Sequence, residues 1–396
     1  MKLSNRVTGM QESPVRKLVP IATRIKKEGK KVYHLNIGQP DIETPKVFME
    51  AIQNMDTKII AYSFSQGEPT LLKAISDYYK RSAINIEPED ILVTNGGSEA
   101  LINTCIVCCD EGDEVLVPEP FYTNYNGFTK GVNVNVVPIT TKAENGFHLP
   151  NKEEIVKSIT PKTKAIMFSN PGNPTGCIYN REELEMLAEI AVEHNLWIIS
   201  DEVYRGFAYD GLEAISFGNI EGVEDRVILV DSVSKRYSAC GARIGCVASK
   251  NQEFIKEYLK LCQSRLCVPT LEQIGAAALY ELPDSYVEEM KNVYDKRRNI
   301  VFNTLKDIDG VVCEKPTGAF YVIAKLPVEN AEEFVIWMLE EFDLNGETAM
   351  LAPAEGFYAT DGLGIDEVRI AYILNEEDLA KAMNILKEGL KAYRNR

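Results

Sequence analysis

The feature that most constrains the fold is an alternation of short apolar runs with helix-forming stretches through the middle of the chain. Six runs rich in β-branched residues occupy positions 91–94, 114–118, 133–138, 164–169, 196–200 and 226–231. Runs without a polar face are typical of strands buried on both sides of a parallel sheet. Because helical patterns separate most of them, the sequence predicts an α/β fold with a mainly parallel sheet covered by helices.

The pattern changes near residue 285, and together with the length of the chain this indicates a second domain. A chain of 396 residues exceeds what one hydrophobic core usually holds. Beyond the change, strands at 318–325 and 367–373 alternate with long charged and amphipathic helices. We expect an N-terminal arm that belongs with the small domain (1–45), a large domain (46–285) and a smaller α+β domain (286–396).

The composition argues against several classes of function. Acidic residues outnumber basic ones, 59 to 43, and the net charge of −16 leaves no broad basic surface for nucleic acid. No apolar run approaches the ~18 residues of a membrane-spanning helix, and residues 1–7 lack the apolar core of a signal peptide. No CxxC pair is accompanied in the sequence by a second such pair or by closely spaced histidines, and this disfavours a zinc site. We expect a reduced, cytoplasmic protein without a structural metal, and without nucleic-acid or membrane partners.

Parallel sheets bind ligands at the carboxyl ends of their strands, so the residues that follow each run carry the functional signal. The run at 91–94 is followed by Asn95-Gly96-Gly97-Ser98, a glycine turn that opens a helix. Free N–H groups at a helix N-terminus bind anions, and a phosphate suits this position. An ordinary turn between a strand and a helix is the alternative.

The loops after the later runs place polar side chains at the same edge. The loop at 170–176 contains two Asn-Pro steps, which fix a rigid path that can aim an amide side chain, although a surface turn is the alternative. Asp201 directly follows an apolar run and therefore needs a cationic or N–H partner. That partner is either a ligand or a structural residue such as Arg205, and Tyr204 adds a phenol nearby.

The last run leads into a lysine with an unusual setting. Lys235 is flanked by Ser232, Ser234 and Arg236, and Arg243 lies eight residues further on. Lone lysines are nearly always solvated surface residues. A lysine after a buried strand, beside hydroxyls and a second cation, is a candidate nucleophile or phosphate ligand.

Taken together, these motifs resemble those of the class I/II aminotransferases, the fold-type I branch of pyridoxal-phosphate (PLP) enzymes that includes aspartate aminotransferase. The resemblance rests on the asparagine–proline loop, on Asp201-x-x-Tyr204 and on Ser232-x-x-Lys235 with Arg243. It extends over nearly the whole length, from 35–41 (LNIGQPD) through 67–75 (GEPTLLKAI) to 368–372 (VRIAY). It implies a sheet of the seven-stranded type in the large domain and PLP as the cofactor.

The resemblance assigns the chemistry at the cofactor ring to four residues. Lys235 forms a Schiff base with PLP and moves a proton between the substrate Cα and the cofactor, which requires an amine that can become neutral. Asp201 keeps the pyridine nitrogen protonated, so that the ring accepts electrons. Asn173 and Tyr204 hydrogen-bond the ring oxygen, and Tyr204 counts as catalytic together with Lys235 and Asp201.

The remaining cofactor contacts follow from the same resemblance. The phosphate is expected at the helix N-terminus, near Gly97 and Ser98, with further contacts from Ser232 and Arg243. An aromatic ring stacks on the pyridine in this family. We choose Tyr122 for this role and keep Phe121 as the alternative, while a purely structural aromatic residue is as consistent with the sequence.

Two further assignments concern the substrate and the partner subunit. Arg369 binds the substrate α-carboxylate as a bidentate fork, with help from Gly38 and Asn173. Tyr62 matches the tyrosine that reaches the PLP phosphate of the partner subunit, which implies a homodimer with composite sites. A tyrosine without a cofactor role is the alternative for Tyr62.

The function that the resemblance implies is transamination between an L-amino acid and a 2-oxo acid. The segment 350–357 lacks the Pro-Gly pair that many members carry, and no second arginine can be assigned to a dicarboxylate side chain. Aromatic, alanine and branched-chain donors therefore stay open, although we favour aspartate as donor and 2-oxoglutarate as acceptor.

Proteins of other classes share parts of this framework. A PLP-dependent carbon–sulfur lyase is an alternative because it keeps Lys235, Asp201 and Arg369. A regulator with an aminotransferase-like domain needs a DNA-binding segment ahead of Gly38, and the short stretch there argues against it. A non-catalytic binding protein is disfavoured because all three functional residues are present.

Overall fold

The computed structural model describes residues 1–396 as three β-sheets with helices packed around them. The α-helices are α1 (Asn5–Thr8), α2 (Val19–Lys27), α3 (Val47–Gln53), α4 (Pro69–Arg81), α5 (Gly96–Cys108), α6 (Asn124–Gly131), α7 (Lys152–Val156), α8 (Arg181–Glu193), α9 (Val233–Arg236), α10 (Gln252–Arg265), α11 (Thr270–Tyr280), α12 (Asp284–Lys306), α13 (Ala331–Glu340) and α14 (Glu376–Arg394). The strands are β1 (Lys31–His34), β2 (Ile91–Thr94), β3 (Glu114–Glu119), β4 (Asn135–Thr140), β5 (Thr163–Ser169), β6 (Trp197–Asp201), β7 (Val227–Ser232), β8 (Gly245–Ala248), β9 (Tyr321–Lys325), β10 (Glu347–Met350), β11 (Ala352–Pro353) and β12 (Glu367–Ala371).

Seven strands form the central sheet, in the order β2-β8-β7-β6-β5-β3-β4. Strand β8 runs antiparallel to both of its neighbours, and every other neighbouring pair is parallel. The predicted α/β fold with a mainly parallel, seven-stranded sheet is therefore confirmed. The six predicted runs correspond to β2 through β7, whereas β8 was not predicted because it is short and begins at the last residue of the Gly241–Gly245 stretch.

Helix α8 shows how local sequence positions a helix on this sheet. The Asn180 side chain accepts a hydrogen bond from the Glu183 amide (2.9 Å), and the Glu183 carboxylate accepts one from the Asn180 amide (2.8 Å). This capping box satisfies N–H groups that the first helical turn cannot pair internally. Leu184, Leu187 and Ile190 are fully buried on the face that meets the core. The burial of each such side chain contributes about 2 kcal/mol to the stability of the fold. Leu187→Asp is therefore expected to disrupt the packing of α8 on the sheet.

A second core lies around the two smaller sheets. Strand β1 pairs in parallel with β10, and β11, β12 and β9 form an antiparallel sheet. Ala22 and Ile25 of α2 belong to the same hydrophobic cluster as Leu379 and Leu386 of α14. The domain limits expected at residues 45 and 285 stay predictions. None of the helices combines the length and apolar character needed to cross a bilayer.

The topology brings the polar strand ends together. Strands β2, β3, β5, β6 and β7 all run in the same direction, since β8 reverses twice between β2 and β7. Their last residues, which therefore share one edge of the sheet, are Thr94, Glu119, Ser169, Asp201 and Ser232. Ser169 and Asp201 are direct neighbours in the strand register. This edge positions the site described next.

Candidate active site

One cavity of about 450 Å³ lies at this edge, with Arg369 of β12 in its wall. Every predicted site residue except Tyr62 lines it, namely Gly38, Gly97, Ser98, Tyr122, Asn173, Asp201, Tyr204, Ser232, Lys235, Arg243 and Arg369. The N-terminal segment adds Ser13, Val15 and Arg16 to the wall. The cavity therefore joins residues from the central sheet, the antiparallel sheet and the chain's beginning.

Asp201 is a buried carboxylate without a cationic partner. Tyr125 Oη donates a hydrogen bond to its Oδ2 across 2.8 Å, and the Val203 amide lies 3.4 Å from its Oδ1. Burial raises the pKa of Asp201 to about 6. Arg205, the structural partner considered from sequence, instead faces Glu202 at 3.8 Å. Asp201 is thus oriented by Tyr125, a residue that the sequence did not single out.

Lys235 lies on α9, immediately after β7. Its Nζ donates a hydrogen bond to the carbonyl oxygen of Gly38 across 2.9 Å. The next residue, Arg236, is fully buried and pairs with Asp231, the penultimate residue of β7. This pair fixes the short helix to the strand end, so the lysine side chain extends from a rigid base into the cavity.

The N-terminus of α5 and Arg243 meet at one end of the cavity. Gly96 has a φ of +75°, and a Cβ there would lie 2.3 Å from Arg243 Nη2. Only glycine allows this approach of the guanidinium to the helix start. Gly97, Ser98 and Ser232 line the cavity beside it. Free amides, hydroxyls and a guanidinium together form a setting that suits a phosphate.

Arg369 occupies the opposite wall, on β12. Its Nη2 donates to the Asn36 carbonyl oxygen (2.6 Å) and its Nη1 to Asn173 Oδ1 (3.2 Å), while its Nε has no partner. The guanidinium also lies over the rings of Tyr321 (4.5 Å) and Phe357 (4.9 Å). No carboxylate pairs with it, and burial lowers its pKa. A buried cation held only by neutral groups is well suited to bind a carboxylate.

The aromatic residues of the site divide into three groups. Tyr204 and Tyr321 are joined through their hydroxyls at 2.9 Å, and burial raises the pKa of the Tyr204 phenol, so it stays neutral. Tyr122 lines the cavity, whereas Phe121 is buried in the core and does not. Tyr62 is 79% exposed on the surface of the single chain. Of Tyr122 and Phe121, only Tyr122 faces the cavity. Its stacking on the cofactor ring stays a prediction.

The charges around the cavity define what it can bind. Four cationic side chains and one anionic side chain line it: Arg16, Lys235, Arg243, Arg369 and Asp201. Arg243 at the α5 N-terminus fits a phosphate, and the unpaired Asp201 fits a protonated ring nitrogen. A primary amine near them fits an aldehyde. The residues present therefore fit PLP.

Comparisons with known proteins agree with this geometry. The family model "Aminotransferase class I and II" matches residues 30–386. An aspartate aminotransferase of Bacillus subtilis is 32% identical, over 99% of this chain and 100% of its own. Aromatic-amino-acid aminotransferase 2 of Thermococcus litoralis is also 32% identical, over 99% of both chains. The structure of an alanine aminotransferase of Pyrococcus furiosus superimposes with a TM-score of 0.90, at 33% identity, over 99% of this chain and 100% of its own.

Fold, cavity and relatives together define an enzyme that transfers amino groups with PLP as cofactor. The chain belongs to the class I and II aminotransferases. The relatives carry the names of three different amino-acid substrates at similar identity, so the preferred substrate has to be argued from this chain's own residues.

Proposed function

We propose that this enzyme transfers the amino group of aspartate to 2-oxoglutarate. The observation that carries the proposal is the convergence of Lys235, Asp201, Arg243 and Arg369 on one cavity, with Arg16 as a further cation in its wall. Each of the first four residues matches one part of PLP or of an amino acid. Arg16 is the residue that narrows the choice of substrate.

We assign the covalent attachment of PLP to Lys235 and the hold on the ring nitrogen to Asp201. PLP, when bound, supplies a ring that takes up the electrons released as the substrate Cα loses its proton. Lys235 moves that proton, since an amine on a flexible stem can reach the Cα and become neutral. Tyr125 orients the Asp201 carboxylate by donating to Oδ2, and the carboxylate would hold the ring nitrogen.

The other contacts divide between the two ends of the cofactor. We assign the phosphate to Gly97, Ser98, Ser232 and Arg243, which line one end of the cavity. We assign the ring oxygen to Asn173 and Tyr204 and the ring face to Tyr122. Neutral hydrogen-bond donors at the ring oxygen stabilise its charged form. The buried, neutral Tyr204 phenol can act in this way.

The substrate α-carboxylate is assigned to Arg369, with Gly38 and Asn173 beside it. The unpartnered Nε and the two Nη atoms present a planar fork, and such forks bind carboxylates through two parallel hydrogen bonds. The Gly38 backbone lies close to this position because a Cβ on Gly38 would overlap the Tyr321 hydroxyl. Glycine is therefore required where the chain passes the substrate.

Arg16 supports a dicarboxylic substrate. Asp201, Lys235, Arg243 and Arg369 are each matched by a group of PLP or by the α-carboxylate. Arg16 lines the same cavity and makes no side-chain hydrogen bond or ion pair of its own. The segment that carries it is anchored by the Asn36 side chain, which donates to the Val15 carbonyl oxygen across 2.9 Å. Arg16 is an exposed residue, so its guanidinium is open to a second carboxylate such as that of aspartate or 2-oxoglutarate.

We further propose a cytoplasmic homodimer in which Tyr62 contributes to the partner's site. Tyr62 lies in a strip of exposed apolar residues, Ile59, Ile60, Tyr62 and Phe64, which are 57–79% exposed. Monomeric soluble proteins rarely expose contiguous apolar patches of this kind. All nine cysteines are free thiols, as is usual in a reducing compartment.

A substrate panel tests the proposal. Initial rates are measured on the PLP-loaded enzyme with 2-oxoglutarate and aspartate, alanine, phenylalanine or leucine. We expect kcat/KM for aspartate to exceed that for the others by about tenfold or more, the effect of one additional carboxylate contact. Equal values for alanine would contradict the dicarboxylate assignment. Release of pyruvate and ammonia without any acceptor, at comparable rates, would identify a lyase instead.

A further inference from the structure

Glu119, the last residue of β3, is a fully buried carboxylate that lies outside the cavity wall. It pairs with no lysine or arginine. Its Oε1 accepts hydrogen bonds from the hydroxyls of Thr140 (2.8 Å) and Thr360 (2.6 Å). Its Oε2 accepts from the amides of Ala359 (2.8 Å) and Thr360 (3.0 Å). Four hydrogen-bond donors therefore compensate for the burial of this carboxylate. Hydrogen bonds to a charged acceptor are stronger than those between neutral groups.

These hydrogen bonds connect the central sheet to a turn beside the substrate arginine. We call residues 355–360 the Phe357 turn. It follows β11, in which Ala352 lies opposite Arg369 of β12. A backbone bond from the Phe121 amide to the Phe357 carbonyl oxygen (2.9 Å) runs alongside the Glu119 contacts. Glu119 therefore fixes this turn to the end of β3.

The Phe357 turn contacts Arg369 directly and also contacts the N-terminal segment that carries Arg16. The ring of Phe357 lies 4.9 Å from the Arg369 guanidinium carbon. On its other side, a Cβ on Gly356 would come within 2.7 Å of Pro14, so the N-terminal segment that carries Arg16 packs directly on the turn. A shift of the turn would therefore displace the supports of Arg369 and Arg16 together.

We propose that Glu119 is a positioning residue for substrate binding: it holds the Phe357 turn against the central sheet and thereby sets the position of Arg369 and of the Arg16 segment. Glu119 touches neither the cofactor nor the substrate. The inference rests on the proposed function, because it takes Arg369 as the group that binds the α-carboxylate. It concerns affinity for carboxylates, and it leaves the proton transfer at Lys235 unchanged.

The chain offers a matched pair of variants. Thr360→Val and Thr140→Val each remove one hydroxyl donor to the same Glu119 oxygen, Oε1. Only Thr360 belongs to the Phe357 turn, whereas Thr140 ends β4 in the central sheet. Both threonines are exposed, so neither change empties the core. Glu119→Gln is the stronger perturbation, because it removes the negative charge that all four donors face.

The readouts are the KM for aspartate, kcat, and the dissociation constant of maleate, a dicarboxylate that carries no amino group, on the PLP-loaded enzyme. We expect Thr360→Val to raise the KM and the maleate constant about tenfold, as the loss of one charged hydrogen bond predicts, with kcat within about twofold. Thr140→Val should leave all three within about twofold. The absorbance spectrum of bound PLP should be the same in both variants and in wild type.

Equal effects of the two threonine variants, or a loss of kcat without a change in KM, would overturn the proposal. If Glu119→Gln fails to fold, the threonine pair still decides the question. Combining Thr360→Val with Arg369→Lys tests the route of action: less-than-additive losses of maleate affinity are expected, and fully additive losses would exclude action through Arg369. Failure of the proposed function is recognised separately, because Arg369→Lys alone would then leave maleate binding unchanged.

Discussion

Arg369 Nη1 donates a hydrogen bond to Asn173 Oδ1 across 3.2 Å, which joins β12 to the loop that follows β5. Asn173 was assigned from sequence to two roles, one at the cofactor ring oxygen and one beside the substrate. The contact explains how one residue serves both. Because Oδ1 accepts from Arg369, the two hydrogens of Asn173 Nδ2 are left to donate. We expect one of them to reach the ring oxygen and the other the substrate carboxylate.

Lys235→Ala should abolish turnover, because no other amine lines the cavity. The attachment of PLP is checked directly by borohydride reduction, which makes a lysine–PLP bond permanent. Mass spectrometry should find a PLP adduct on wild-type enzyme at residue 235 and no adduct on the variant. An adduct at another lysine, or transamination by the variant, would contradict the assignment.

Asp201→Asn should have opposite effects on stability and on catalysis. In cofactor-free protein, burial raises the pKa of Asp201 to about 6, above the value of about 3.9 in an unfolded chain. The folded form therefore binds the proton more tightly, and its stability falls as pH rises from about 4 to about 6. Above pH 6 the buried charge costs the folded protein about 3 kcal/mol, and the neutral asparagine removes this cost.

The measurement is the melting temperature of both proteins, stripped of PLP, at pH 5 and pH 8. The variant should melt a few degrees higher than wild type at pH 8, and the difference should shrink at pH 5. With PLP, kcat of the variant should fall by about a hundredfold or more, because the ring nitrogen loses its anionic partner. A variant that is less stable at pH 8 would refute this account of the carboxylate.

Arg16→Gln should change the choice of substrate without abolishing activity. We expect kcat/KM for aspartate to fall about tenfold, and that for alanine to stay within about twofold, because alanine has no second carboxylate. Lys17→Gln is the control, since Lys17 pairs with Glu332 and does not line the cavity. Equal losses for aspartate and alanine would show that Arg16 supports the fold of the site and not its selectivity.

Ile60→Asp should separate the proposed dimer, because it puts a charge into the exposed apolar strip around Tyr62. Sedimentation is expected to show monomers for this variant and dimers for wild type, with weaker PLP binding in the monomer. Val192→Asp is the control, since Val192 is a half-exposed apolar residue of α8 outside the strip. Dimers of Ile60→Asp with unchanged PLP affinity would remove the support for a composite site.

The sequence predicted most of the strand-end residues for a definite physical reason. Apolar runs that end in glycine or polar residues mark the carboxyl ends of buried strands, and parallel strands bring those ends to one edge. Asp201 and Lys235 were found in this way. Strand β8 was missed, because a run of four residues beside a glycine-rich stretch carries little periodic signal.

The residues that the sequence missed are those placed by contacts between distant segments. Tyr125 meets Asp201 only because α6 starts close behind β3, and Tyr321 meets Tyr204 from a separate sheet. Arg16 enters the cavity because Asn36 and Gly356 hold its segment there. No local pattern around residue 16 or residue 119 predicts these contacts, since each depends on packing between segments that are not neighbours in sequence.

The pairing of β1 with β10 has a consequence for how the polypeptide acquires its shape during translation. Residues 31–34 find their partners only at 347–350, near the end of the chain. The central sheet, by contrast, is complete once β8 has left the ribosome. Contacts between remote segments form slowly because a long loop must first close. Residues 31–34 therefore stay without their strand partner until almost the whole protein has been made, although α1 can already pack on α6.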